Sequence, residues 1–220
     1  MKHTIQKYLS VLFQLTIMIA APFWLIIRGS VYLYEHHHWY HWLAILLMFI
    51  LAFAVIMIYF VMIWQWFTGT KTLDKSALKI KAWLAAGLLV FYGGYTLINL
   101  SGANAKTEKV RKEFSSLHPL LRMSAGTLLL LDQSVLITDL SRVKEDYHAM
   151  GLKTGKNSLH YKQKDGYVHA MDLRTKGHGE IRNKLLQLYF ILMGFNTLRH
   201  SGTADHLHIS LSSRDKPGVI

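Results

Sequence analysis

Apolar residues are spread very unevenly along the chain. Almost every long uncharged run lies before Leu100, and nearly all motif-like polar residues lie after it. A helix that crosses a bilayer needs about 20 mostly apolar residues. Three segments meet this requirement. Tyr8–Ile27 is uncharged and holds one proline, Pro22, which a span tolerates. Trp42–Phe67 has no charge and one strongly polar side chain, Gln65. Ala82–Leu100 is again uncharged, with Gly87, Gly93 and Gly94 available for close helix packing. The first run exceeds the apolar core of about 7–15 residues found in a cleaved leader, so it is expected to remain as a span.

Beyond Leu100 the pattern shortens. Ser101–Ser116 is polar and reads as a linker, with a helix over Glu108–Phe114 and a break at Pro119. Thr127–Leu131 and Val135–Leu140 are short apolar runs that read as strands. Lys144–Met150 predicts a short helix and Val168–Leu173 a strand. In Glu180–Met193 the residues Ile181, Leu185, Leu188 and Leu192 recur at helical spacing, and Gly194 supplies the stop. Asn196–Arg199 and His206–Leu211 read as strands. In the second, a period of two puts His206 and His208 on one face and Leu207, Ile209 and Leu211 on the other, which belongs to a core. The soluble half is therefore expected to be a mixed α+β domain.

Charge orients this arrangement. Lys2 and Lys7 precede the first span, and Lys71, Lys75, Lys79 and Lys81 lie between the second and third, whereas the first loop carries only Arg28 and Glu35. The positive-inside rule then puts the N-terminus and second loop in the cytoplasm and the domain after Leu100 outside. The basic Lys106–Lys112 segment argues weakly the other way. Tyr32, Tyr34, Trp39, Tyr40 and Trp42 read as an interfacial aromatic belt in the first loop, with His36, His37, His38 and His41 as interfacial polar residues; a metal or haem role is the alternative for that cluster.

The chain carries a formal charge of +12, of which +7 falls on Ser101–Ile220, with 18 Lys/Arg against 11 Asp/Glu. That suits an anionic partner such as phospholipid or an acidic wall polymer. No recognition helix or stacking platform accompanies it, so no nucleic-acid partner is expected. The absence of cysteine excludes disulfides, thiolate zinc sites and a cysteine nucleophile.

Candidate chemistry concentrates in two places. One is Asp205-His206-Leu207-His208; the other is Ser158-Leu159-His160-Tyr161, followed by Ala170-Met171-Asp172-Leu173-Arg174. Two imidazoles and a carboxylate are a common zinc set that leaves a fourth position for water, and a further carboxylate can take a proton. Residue types alone supply these parts in His160, Asp172, His208 and Asp205 without assigning them.

In this order, SLHY, AMDLR, GFNTL and DHLH resemble the zinc D-Ala-D-Ala peptidases, the related phage endolysins and the hedgehog signalling domain, over roughly 134–211. The resemblance implies a small antiparallel sheet with flanking helices and a zinc ion held by His160, Asp172 and His208. It implies Asp205 as general base, His206 as the residue that polarises or positions substrate, and Arg142 as the group that binds a substrate carboxylate or carbonyl oxygen. The resulting organisation is a membrane region over 1–100, a linker and helix over 101–125, and a metallopeptidase-like domain over 126–220. The implied activity is hydrolysis of peptidoglycan peptide near D-Ala by an integral membrane protein with its domain extracytoplasmic.

One departure stands out. The family places its aspartate seven residues after the first histidine, and here the interval is twelve, with a polar, lysine-rich insertion within Lys162–Gly166 that is expected to form a loop at the pocket rim. His169 is an alternative ligand. On a strand it would face away from Asp172, and Asp172 keeps the Ala-x-Asp context. His118, His148, His178 and His200 read as loop or surface residues. Two other functions fit the sequence: a hedgehog-like zinc-binding module without hydrolysis, and a three-span membrane protein whose function lies in the bundle.

Overall fold

The computed structural model describes residues 2–69, 74–149, 151, 157–202 and 205–219. Lys71 and Met150, used above, lie outside them. The chain divides into two compact units, Met1–Tyr92 and Gly93–Ile220, and the division falls inside one long helix.

The first unit consists of α1 (Lys2–His36), α2 (His41–Thr68) and most of α3 (Lys75–Ile98). Leu12–His36, His41–Gln65 and Lys75–Ile98 are long and apolar enough to cross a membrane. α1 runs past the expected end at Ile27, because Gly29–Tyr34 continues to bury side chains: Ser30, Val31 and Tyr34 are inside. Tyr32 and Tyr34 therefore stand on α1 and Trp42 on α2, and the connection shrinks to residues 37–40. Gly29 makes the close helix approach, since a Cβ there would overlap the Met48 thioether on α2. Gly87 and Gly94, expected in that role, have open space around them. α2 ends at Gly69, whose φ of 65° is the left-handed geometry that glycine accepts readily.

In the second unit, residues 101–125 are folded into the domain. Asn104 is buried and its amide donates to the carbonyls of Gln133 (2.7 Å) and Val135 (2.9 Å). Thr107 caps α4 (Glu108–Glu113) by accepting from the Val110 amide. Thr127–Leu131, expected as a strand, is the end of α5 (Pro119–Leu131). Pro119 occupies its first turn, where a missing N–H costs nothing, and Leu120, Leu121, Met123, Ala125, Leu128 and Leu129 are buried. A short run of leucines carries no period of its own, and the helical period is visible only when read from Pro119.

The sheet contains β1 (Ile137–Asp139), β2 (Ala170–Arg174), β3 (Asn196–His200) and β4 (His206–Ser210), all antiparallel in the order β1-β2-β4-β3. α6 (Lys144–Ala149) follows β1, and α7 (Glu180–Met193) has the expected bounds, closed by Gly194 at φ 97°. Its buried residues are Asn183, Leu186, Phe190 and Met193. The expected apolar stripe of Ile181, Leu185, Leu188 and Leu192 is exposed.

Candidate metal centre

The register of β2 with β4 builds the site. Asp172 pairs directly with His208, and directly opposed residues on antiparallel strands share a face. Arg174 and His206 stand on the same face one step along, and His200 joins them from β3, opposite His206. Leu173, Leu207 and Ile209 point the other way into the core.

His160 reaches this face from the loop before β2. Ser158 shapes the loop by accepting from the His160 amide at 3.2 Å, and the Tyr147 hydroxyl bonds Ser158 Oγ. The His160 carbonyl accepts from the Arg142 amide at 3.1 Å, and its ring Nδ1 lies 2.6 Å from the buried carbonyl of Leu140. A carbonyl only accepts, so the proton is on Nδ1 and Nε2 presents a lone pair.

That lone pair converges with a ring nitrogen of His208 and a carboxylate oxygen of Asp172. His160 Nε2 is 3.3 Å from His208 Nδ1 and 3.4 Å from Asp172 Oδ1, and His208 Nδ1 is 2.8 Å from Asp172 Oδ1. His160 and Asp172 are buried, and the His208 side chain is only 12 % exposed. With its proton on Nδ1, His208 donates to Asp172 Oδ1; with its proton on Nε2, three lone pairs face one another and suit a shared metal ion. A tetrahedral ion with bonds of about 2.0–2.1 Å separates its ligands by about 3.3–3.4 Å. Two of the three separations already have that value, so the residues fit a small divalent ion held by two imidazoles and a carboxylate.

Asp172 is held in a fixed orientation. Its Oδ2 accepts from Arg142 Nη2 at 2.7 Å, which leaves Oδ1 toward the cluster, and Arg142 Nε donates to Asp139 at 2.6 Å. Burial pushes the Asp172 carboxyl up, but hydrogen bonding and charge from His160 and His208 outweigh it and hold the group well below the usual carboxylate range. Arg142 thus sits beside the site with two donors engaged by carboxylates. On its outer side a groove of ≈ 250 Å³ is lined by Lys106, Lys109, Glu113, Arg142 and Asp146 among others.

His206 lies at the edge of the cluster, 26 % exposed, with Nε2 3.8 Å from Asp172 Oδ2. His200 stacks on it, with centroids 4.8 Å apart, and meets His208 edge-on at 6.5 Å. Partial burial, with His206 and His208 nearby, lowers the His200 pKa. His200, expected as a loop or surface residue, is exposed and stands at the end of β3, one position past the expected strand. The signal was the hairpin itself, since Leu198 and His200 continue an alternation that faces His208 and His206.

Asp205 is not gathered with the others. Its carboxylate takes a two-point ion pair from Arg199 (2.7 and 2.8 Å) and a hydrogen bond from Thr175 (2.7 Å), which together lower its pKa to about 2. Arg199 pairs with Leu207 in the register, so this group occupies the Leu207 face, across the sheet from His160, Asp172 and His208.

His169 also stands apart. Its Nε2 is 2.8 Å from Asp165 Oδ2, and its ring lies 4.7 Å from that of His118. His118, expected as a loop or surface residue, lies in the loop before α5 but is fully buried and caps the helix through Nδ1. The insertion forms a tight turn: the Gln163 amide donates to Tyr167 O, the Gly166 amide donates to Gln163 O, and Lys162 bridges Val168.

Comparison with family models, curated proteins and solved structures finds no match for this chain.

Proposed function

We propose that the chain is a membrane-anchored zinc peptidase that hydrolyses peptidoglycan peptide, near D-Ala, on the outer side of the membrane. The observation that carries this reading is the convergence of His160 Nε2, His208 Nδ1 and Asp172 Oδ1, with the His160 tautomer set by Leu140 and Asp172 oriented by Arg142. Bound by these residues, zinc would polarise a carbonyl and lower the pKa of a coordinated water toward about 7.

The chain's own groups supply the rest. His206 is placed to hydrogen-bond a substrate oxygen beside the cluster. Arg142 and the lysines of the adjoining groove suit a substrate that carries carboxylates, and Glu113 and Asp146 in the same groove suit one that also carries an amine. Proton transfer by Asp205, as the motif implies, requires the Arg199 and Thr175 bonds to open and the carboxylate to swing round the start of β4 to the histidine side of the sheet. The test is digestion of purified muropeptides by the full chain, with products identified by mass spectrometry. Loss of a terminal D-Ala or of a cross-link in the wild type, absent in His160→Ala, is expected; no cleavage by zinc-loaded wild type contradicts the proposal.

One observation favours a second reading. The Asp205 carboxylate is engaged on the far face of the sheet, an arrangement that suits a hedgehog-like module that binds zinc and recognises a partner without hydrolysis. Stoichiometric zinc without any cleavage would select it.

A further inference from the structure

α7 carries two apolar faces. Leu186, Phe190 and Met193 point into the core, whereas Ile181, Leu185, Leu188 and Leu192, at 79, 60, 48 and 55 % exposure, form a stripe on the opposite side. Their spacing keeps them within about 60° of arc at 3.6 residues per turn. Leu131, at the end of α5, is 75 % exposed. Lys184 flanks the stripe and is exposed. Contiguous exposed apolar side chains of this kind mark a contact surface.

What covers the stripe follows from the helices beside it. The last turn of α3, the end of an apolar helix long enough to cross a membrane, belongs to the same compact unit as α5 and α7. α5 lies against it: Arg122 Nη1 donates to Leu97 O at 3.0 Å, and a Cβ on Gly126 would come within 2.6 Å of Thr96 Cα. α7 runs antiparallel along α5, with Tyr189 Oη donating to Ser124 O at 2.8 Å and Arg182 Nη2 donating to Asp132 at 2.7 Å. Two helices that pack beside the end of a span lie at the level where that span leaves the hydrocarbon. An amphipathic helix with an apolar stripe and a flanking lysine suits that layer.

We propose that the outer face of α7, with Leu131 of α5, rests in the interfacial layer of the membrane that α3 crosses. This rests on α3 being a span and is independent of the metal centre. It has a consequence for the site. Glu180 of α7 pairs with Arg199 on the Leu207 face of the sheet, so α7 covers the face opposite the histidine cluster. The cluster then opens away from the bilayer, toward a water-borne or wall-bound substrate and not toward a lipid.

The absence of native cysteine allows a direct test on the full chain. Single variants Leu188→Cys, Val90→Cys and Lys164→Cys carry an environment-sensitive fluorophore, and the protein is placed one chain per lipid nanodisc with and without doxyl-labelled phospholipid. Val90 is 74 % exposed on α3 and serves as the lipid reference, and the Lys164 side chain, 88 % exposed, as the aqueous one. The expected result is blue-shifted emission and doxyl quenching at position 188, as at 90 and unlike 164. Emission at 188 like that at 164, with 90 still quenched, overturns the proposal. Loss of quenching at 90 as well overturns its premise that α3 is a span. Quenching absent at 188, together with disulfide-linked dimers of Leu188→Cys in detergent, assigns the stripe to a second copy and also overturns it.

Discussion

His160 is held at both ends of its residue, by Arg142 at the carbonyl and by Leu140 at the ring, so the exit of β1 sets its orientation. The same short segment supplies Arg142, which aims Asp172. Hydrogen-bond partners of this kind typically contribute 10–100-fold in metal affinity. Arg142→Gln is therefore expected to bind zinc about 10–100-fold more weakly while remaining folded, as measured by competition with a chromogenic chelator; unchanged affinity would mean that Asp172 needs no such help. Asp205 invites a second test. Asp205→Asn is expected to lower turnover by about 10²–10⁴-fold with zinc content retained, and near-normal turnover would move the proton-transfer role to His206. The Arg199 pair also has a readable sign. With the Thr175 hydrogen bond it depresses the folded-state pKa of Asp205 to about 2, so their contribution to stability is present above the ordinary carboxylate range and is lost as pH falls toward about 2. In Arg199→Ala the Asp205 carboxyl titration, followed by carbon NMR, is expected to rise toward about 3.9; a midpoint that stays near 2 would show that Thr175 alone holds the carboxylate.

At the scale of elements, the sequence was most legible where period and sidedness agreed. The alternation in His206–Leu211 identified β4 and the shared face of its two histidines, because one-sided burial leaves a period of two. α7 had the expected bounds, since Gly194 is a strong stop, but its most regular apolar stripe is the exposed one; a helix touching both a core and another apolar medium carries two stripes, and periodicity does not say which is which. α5 was hidden because Thr127–Leu131 is too short a run to have a period. Two of the site's partners were not readable at all, and a third only through the pairing of the hairpin. Leu140 acts through its carbonyl and so has no residue signature, Asp139 is one acid among many, and His200 depends on the β3–β4 register. Close packing at Gly126 gives this scale its own prediction. Gly126→Ala pushes a methyl into the Thr96 backbone and is expected to cost about 1–3 kcal/mol, read as a lower melting temperature of the purified protein, whereas Gly87→Ala, with nothing within 4 Å, should have no such cost. Equal melting temperatures would argue that α5 does not lean on the end of α3.

At the scale of the whole molecule, three long apolar helices precede a small antiparallel sheet, and the lysine distribution proposes the direction in which they are threaded. With the domain outside, Lys164→Cys in intact cells should react with a membrane-impermeant maleimide; protection until the cells are lysed would reverse the orientation. The central claim is the metal. Element analysis by mass spectrometry on the purified full chain, after zinc loading and desalting, compares wild type with His208→Ala. The account predicts about one zinc per wild-type chain and its loss in a variant that stays folded by circular dichroism. A folded wild type that retains no zinc would contradict the metal centre, and with it the peptidase.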